Sequence, residues 1–323
     1  MPTSYLVPHT SMLHRFLSSF AALRLVPRTS RLVPRTSCLA LVLFFAVFCN
    51  SKELEKAASV PAYTAQFDSV ALSSQALPKS SSAVREIPWV NLPEVKAPWM
   101  KGERLTYDLC WGFITAGTAT LEVKPMPNGK TEFYSLAHDN GVLKKLYPVA
   151  DTIYTRVRNN GLMTEVFRKT LHEGSFHNKS VIRFDRVGDK AWLSDTVFAD
   201  PVSHTVKRSA DTAVAITGLE HSIISAFYWV RTMPLTVGDT SRFAAVSGKK
   251  RYELKVLVHG REKLDTDLGS FNTVKVEPVL DGDGIFNSKG RIFIWLTDDS
   301  RRIPVLMQCE IALGSIKAKL VSK

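Results

Sequence analysis

Residues 105–113, LTYDLCWGF, place Leu105, Tyr107, Leu109, Trp111 and Phe113 at every second position. Side chains two apart share one face of a pleated strand, so this period predicts a half-buried strand. The same texture continues downstream. Ala116-Gly117 marks a bend or bulge before a strand from Thr118 to Val123, and Pro125 to Gly129 is a turn cluster ahead of a strand at 131–138. Strands at 152–158 and 162–170 flank Asn159-Asn160-Gly161, and strands at 180–186 and 190–197 flank Val187-Gly188-Asp189. Such hairpins in series imply antiparallel pairing. Further strands are predicted near 241–247, 251–260, 271–280, 290–297, 303–311 and 314–321, punctuated by Gly248, Gly269, Gly282, Gly284 and Asp298-Asp299.

One segment has a helical period. Thr217 and Glu220 are spaced as a capping box, in which the two side chains satisfy the first free amides. Ile223, Ile224, Ala226, Phe227 and Val230 then form an apolar stripe that Pro234 stops. The spacing predicts a helix over roughly 218–232 whose broad apolar face packs on the concave side of the sheet. The expected fold is mainly β: about a dozen antiparallel strands in a curved sheet or open barrel, covered by one helix.

Upstream of about residue 98 the texture changes. Residues 51–97 are rich in Ser, Ala, Pro and Lys and lack apolar periodicity. Such a segment buries too little surface to offset its ordering entropy, so it reads as a spacer ahead of a single β-rich domain at 98–323. Residues 38–49, CLALVLFFAVFC, are a continuous apolar run behind Arg24, Arg28, Arg31 and Arg35. Twelve residues are too few to cross a bilayer, which takes about 20. A short apolar run behind a basic segment is the pattern of a secretory leader, so residues 1–50 predict export to the periplasm or outer membrane. A retained N-terminal anchor is the alternative. LVPHTS at 6–11 and LVPRTS at 25–30 and 32–37 are near-copies, consistent with an early start codon or a long basic region. Cys49 follows the run as a lipid-attachment cysteine would, although Phe48 is bulky for that role. A lipid-anchored and a soluble periplasmic form both remain open.

Charge argues against one class of partner. The first fifty residues carry five Arg and no acid, the next fifty balance five basic against five acidic groups, and +7 of the total +12 falls on the folded part. There it is scattered, with Lys144-Lys145, Lys249-Lys250-Arg251 and Arg301-Arg302 as the tightest clusters. Nucleic-acid binding wants a dense basic face with interleaved aromatics. Lys and Arg spread along strands instead protect sheet edges from mispairing.

The chemistry-bearing residues give no catalytic or metal motif. Counting from Asp281 in Asp281-Gly-Asp283-Gly, a calcium loop would put ligands at Ile285 and Ile292, which offer no oxygen, so the segment reads as a turn. His172, His177, His204 and His221 stand beside no nucleophile motif, and Ser222 and Ser225 fall on the helix. No Cys/His spacing suits zinc, and no cofactor is implied. Asp298, Asp299, Arg301 and Arg302 read as a charged hairpin turn, with an anion clamp as the alternative. Arg231 suits the helix dipole at the C-terminal end. Cys110 and Cys309 would form a disulfide if their strands were neighbours in an oxidising compartment. Trp111, Phe113, Phe227, Tyr228, Trp229 and Trp295 either pack the core or line an apolar cleft between sheet and helix.

Several ordered stretches carry a family resemblance. They are Gly102-Glu103-x-Leu105-x-Tyr107, Trp111-Gly112 with Ala116-Gly117, Tyr147-Pro148-Val149-x-Asp151 and Phe184-Asp185. Ser225-Ala-Phe-Tyr228-x-x-Arg231, Gly290-Arg-Ile-x-Ile-Trp295, Asp298-Asp299-x-x-Arg302-Ile-Pro304 and Gly314-Ser315 follow. In this order and spacing the segment resembles the bacterial family catalogued as domain of unknown function 3108. The resemblance implies an exported, β-rich envelope protein and supplies no reaction. The leading expectation is a non-catalytic binding or carrier module with an apolar cleft, its partner a lipid or another envelope protein. An envelope assembly protein is the second expectation and a hydrolase the third.

Overall fold

A computed structural model of the protein describes residues 91–141, 148–200, 205–281, 291–311 and 314–323. The leader, Cys49, the spacer up to residue 90, His204 and the turn at 282–284 lie outside the described residues.

Among the described residues, fourteen strands form one antiparallel sheet. Their order in the chain is β1 (Glu103–Trp111), β2 (Ile114–Met126), β3 (Lys130–Asp139), β4 (Ala150–Arg158), β5 (Met163–Glu173), β6 (Phe176–Asp185), β7 (Lys190–Phe198) and β8 (Val206–Ala215). The helix α1 (Ile223–Val230) follows, then β9 (Thr240–Ser247), β10 (Lys250–Thr266), β11 (Gly269–Asp281), β12 (Ile292–Thr297), β13 (Pro304–Ile311) and β14 (Gly314–Ser322). Strands consecutive in sequence are neighbours in space, except that β8 and β9 are the two ends of the sheet and β1 pairs with β14. The sheet therefore runs as two meanders joined through the terminal strands, curling into a nearly closed barrel-like form. It is the mainly-β architecture expected from the alternation.

Local chemistry explains the register. In the three-residue turn 127–129 between β2 and β3, Asn128 and Gly129 both have positive φ, which lets the chain reverse between right-twisted strands. The expected bulge lies at Ala116, where the β1 ladder steps from Gly117 to Thr115. Gly117 is obligatory there: a Cβ would come within 2.4 Å of the His138 carbonyl oxygen.

Two expectations need correction. The helix begins at Ile223 rather than 218, because Ser222 is its N-cap and accepts from the Ser225 amide. Thr217 and Glu220 do bond as a box, but around a preceding turn, with both the Thr217 and Gly218 amides donating to the Glu220 carboxylate. Strand β8 was not expected. Its inward positions carry Arg208, Ala210 and Thr212, and it lacks the large alternating apolar residues of its neighbours.

As expected, α1 packs on the concave side of the sheet, inside the curl, with seven of its eight residues buried. Polar contacts hold both ends. At the N-terminal end, Ser222 bonds Thr155 Oγ1 at 3.0 Å and Ser225 bonds Thr164 Oγ1 at 2.7 Å. At the C-terminal end, Arg231 makes a two-pronged ion pair with Glu103 at 2.7 and 2.8 Å and donates to the Arg301 and Arg302 carbonyls. The dipole reading of Arg231 is thus incomplete: it is a buried clamp between α1, β1 and the β12–β13 turn. Leaving one partner of such a pair buried alone costs about 3–5 kcal/mol.

Candidate functional site

The inner surface of the curl has two chemistries. Along β10–β13 the inward side chains are Leu254, Val256, Val258, Val274, Val276, Ile292, Ile294, Leu296 and Met307, all in the apolar core. Against them lies one face of α1. Ile223, Ala226, Phe227 and Val230 meet Leu254, Val256, Val276, Pro278, Ile294 and Leu296 across a seam with a cavity of about 20 Å³. That is room for about one water, and an apolar lining of this kind stays dry.

Along β4–β7 polar residues share the inward face with the core residues Ile153, Phe167, Leu171, Ile182 and Leu193. Asp151 lies opposite the core residue Ala137, Lys169 opposite Ile153, Asn178 opposite Leu171, and Ser180 and Asp195 continue the Lys169 row. Glu173 follows Leu171 on the same face. None of these six side chains is more than 8% exposed. Asp151 Oδ1 accepts from the His172 amide at 2.8 Å, and Asn178 Nδ2 donates to Asp195 Oδ1 at 2.9 Å and to the Thr196 carbonyl at 3.1 Å. Asp151 Oδ2 and Asn178 Oδ1 are buried with no donor among the described residues. Burial, followed by the charge of Glu173, pushes the Asp151 carboxyl up to about 8, and burial also raises Glu173. A proton on Asp151 then bridges the two carboxyl groups, which gives Oδ2 a partner within the pair.

The six candidate aromatics do not line one cleft, and that expectation is corrected. Successive residues on a helix diverge by about 100°. Phe227 therefore enters the seam, Tyr228 stacks on Phe133 at 4.0 Å, and Trp229 stacks on His221 at 5.4 Å. Trp111 packs against the edge of the core, while Phe113 sits in the β1–β2 turn at 83% exposure. In β12, Ile294 and Leu296 take the inner face, so Trp295 points outward and donates to Glu262 Oε1 at 2.6 Å. The apolar site found instead is aliphatic and shares only Phe227 with the predicted set.

Cys110 and Cys309 are both free thiols. They lie on β1 and β13 with β14 between them, where Cys110 pairs with Lys317 and Cys309 with Ile316. Two strand spacings of about 4.8 Å exceed the Cα separation a disulfide allows, so that expectation is also corrected. Burial, with the nearby Glu310 charge, pushes the Cys309 thiol up to about 11.

The hydrolase reading finds no support at the helix. Ser222 and Ser225 are fully buried and bond to threonines, to each other and to the Ser222 carbonyl, and neither bonds a histidine ring. Burial, and then the charge of Arg186, lowers His221 to about 3, so its ring stays neutral. A serine nucleophile needs an adjacent base. In the 298–302 segment Asp298 pairs with Arg261 and Arg302, and Asp299 with Arg301. These pairs form the expected charged turn.

Comparison with known proteins names no activity. No curated protein matches the chain. A crystal structure of a beta-barrel-like protein of domain of unknown function DUF1849 from Brucella abortus is similar at 12% identity and a TM-score of 0.44, covering 68% of this chain and 95% of that one. The family model described as protein of unknown function (DUF3108) matches residues 106–321, nearly all of the sheet. The chain belongs to the DUF3108 family.

Proposed function

We propose that this protein is a non-catalytic envelope module that binds an apolar chain in the seam between α1 and β10–β12. The observation that carries this is the asymmetry of the helix contacts. Hydrogen bonds and an ion pair tie α1 to β1, β4 and β5, whereas only carbon surfaces line the seam. An acyl chain entering there exchanges one apolar contact for another and breaks no polar bond. With a cavity of about 20 Å³, the seat opens only as α1 and the sheet part. The basic, apolar leader supports delivery to the envelope, where acyl chains are abundant. A second reading, an assembly protein, is favoured by one feature: β8 presents a ten-residue strand edge with no ladder partner among the described residues.

The test is uptake of a fluorescent polyunsaturated fatty acid by delipidated protein, alongside intact-mass analysis of protein from its native envelope. Saturable uptake that Val256→Phe abolishes, together with a retained lipid mass, is expected. No uptake and no retained lipid would overturn the reading.

A further inference from the structure

The positive charge of the folded part is scattered along the chain, but the register of the sheet gathers some of it on one outer face. The outward strand positions of β4–β7 carry six cations, Arg156, Arg158, Arg168, Lys179, Arg183 and Lys190, and two acids, Glu165 and Asp185. Glu165 is shared among Lys130 of β3, Arg156 and Arg158, at 3.1, 3.0 and 3.2 Å. Asp185 lies opposite Lys190 at the β6–β7 turn, where it accepts from the Gly188 amide at 2.9 Å. The next strand, β8, adds one charge of each sign among its exposed residues, Lys207 and Asp211. Arg168, Lys179, Arg183 and Lys190 are all exposed, and none forms an ion pair among the described residues.

These four are neighbours. Arg168 faces Val181 across β5–β6, Lys179 and Arg183 flank Val181 on β6, and Arg183 faces Trp192 on β7. Diagonal partners on adjacent strands lie about 7–8 Å apart, so Arg168 meets two like charges with no acid between. Three of the four stand over an aromatic ring: Arg168 over Tyr154, Lys179 over Phe198 and Lys190 over Trp192, each at 5.5 Å. A ring orients a cation without cancelling its charge. Trp192 is itself 50% exposed on this face. Edge protection does not account for the cluster, because β5–β7 are interior strands of the sheet. Solubility alone is met by mixed signs, as on β1–β2, where Glu122 answers Arg104 and Lys124.

We propose that the outer face of β5–β7 docks on an anionic phospholipid surface through Arg168, Lys179, Arg183 and Lys190, with Trp192 at the level of the headgroups. Each Lys or Arg held near such a surface adds to the attraction. An amphipathic indole ring settles at the boundary between headgroups and hydrocarbon. The cations are spread over three strands, in two dimensions, as the phosphates of a bilayer are. A polyanionic chain offers a line of charge instead. The seam lies on the inner surface of the sheet, so this docking face is independent of the apolar-chain reading.

The test is co-sedimentation of the full chain with vesicles of phosphatidylcholine containing phosphatidylglycerol. The arginines of the leader add the same attraction to every variant, so the comparison is made among variants. Arg168→Gln with Arg183→Gln is expected to weaken binding about tenfold or more, and Lys179→Gln with Lys190→Gln to a similar extent. Arg104→Gln with Lys124→Gln removes the same charge from β1–β2 and is expected to leave binding within about twofold of wild type. Equal weakening by this third pair overturns the proposal, because the attraction then follows net charge and no particular face. Unchanged binding by the first two pairs also overturns it. So does tighter binding of the wild type to short duplex DNA than to the vesicles at equal phosphate concentration. The first two pairs are separate substitutions, so either decides if the other fails to fold.

Discussion

The inward faces of β4–β7 and of β10–β13 belong to one sheet and one core, yet they solve burial in opposite ways. On β10–β13 the buried inward positions are apolar, and stabilisation follows from area removed from water, about 25 cal/mol per Å². On β4–β7, Asp151, Lys169, Asn178, Ser180 and Asp195 take positions that alternation reserves for the interior. Burying polar groups there is tolerable only where each finds a partner. Most do, and two acceptor atoms do not. A core selected for stability alone would look like the β10–β13 half throughout. These polar residues, set among apolar core residues of the same strands, mark where the fold gives up apolar burial.

Exchanging the chemistries of the halves should break this comparison most visibly. Ile294→Asp places a carboxylate in a lining that holds no partner for it and should cost about 3–5 kcal/mol. Asp195→Asn in the polar half keeps an acceptor for Asn178 and should cost about 1 kcal/mol. Urea denaturation reads both, and equal losses would mean that the halves do not differ energetically.

Proton linkage sharpens the comparison at the next scale. Asp151 titrates higher folded than unfolded, so its stabilisation is complete below about pH 4 and is lost as pH rises towards 8. His221 titrates lower folded than unfolded, so its contribution is complete above about 6.5 and is lost as pH falls towards 3. The two oppose each other between about pH 4 and 6.5 and separate above that range. From pH 6.5 to 8 the unfolding free energy should fall by up to about 1.4 kcal/mol per pH unit, and Asp151→Asn should flatten the slope. A wild-type curve already flat over this range would show that Asp151 is ionised in the fold.

The smallest effect belongs to Phe113. Although it continues the alternation of the β1 segment, it sits exposed in the β1–β2 turn, and Phe113→Ser should change the melting free energy by less than about 0.5 kcal/mol. A larger loss would mean that Phe113 packs against a surface outside the described residues.

Much of the fold was legible in the chain. Period-two stretches marked thirteen of the strands, and turns such as Asn128-Gly129 and the bulge at Ala116 fixed their boundaries. Strand β8 escaped because an edge strand faces the core with Arg208, Ala210 and Thr212, which carry little apolar signal. The polar lining also left a trace. Asp151 stands two residues before Ile153, and Lys169 two after Phe167, so each is a polar residue on an inward-facing register. What no single strand could reveal is that these registers align across β4–β7.

That boundary has a physical origin. Alternation fixes which side chains of one strand share a face, because it depends only on local backbone geometry, and it determined the strands, their antiparallel sense and the apolar face of α1. Cross-strand neighbours depend on pairings among residues distant in sequence. Only the closed sheet decided that β1 meets β14, that β14 separates Cys110 from Cys309, that Phe227, Tyr228 and Trp229 leave α1 in three directions, and that Asn178 and Asp151 share one buried wall.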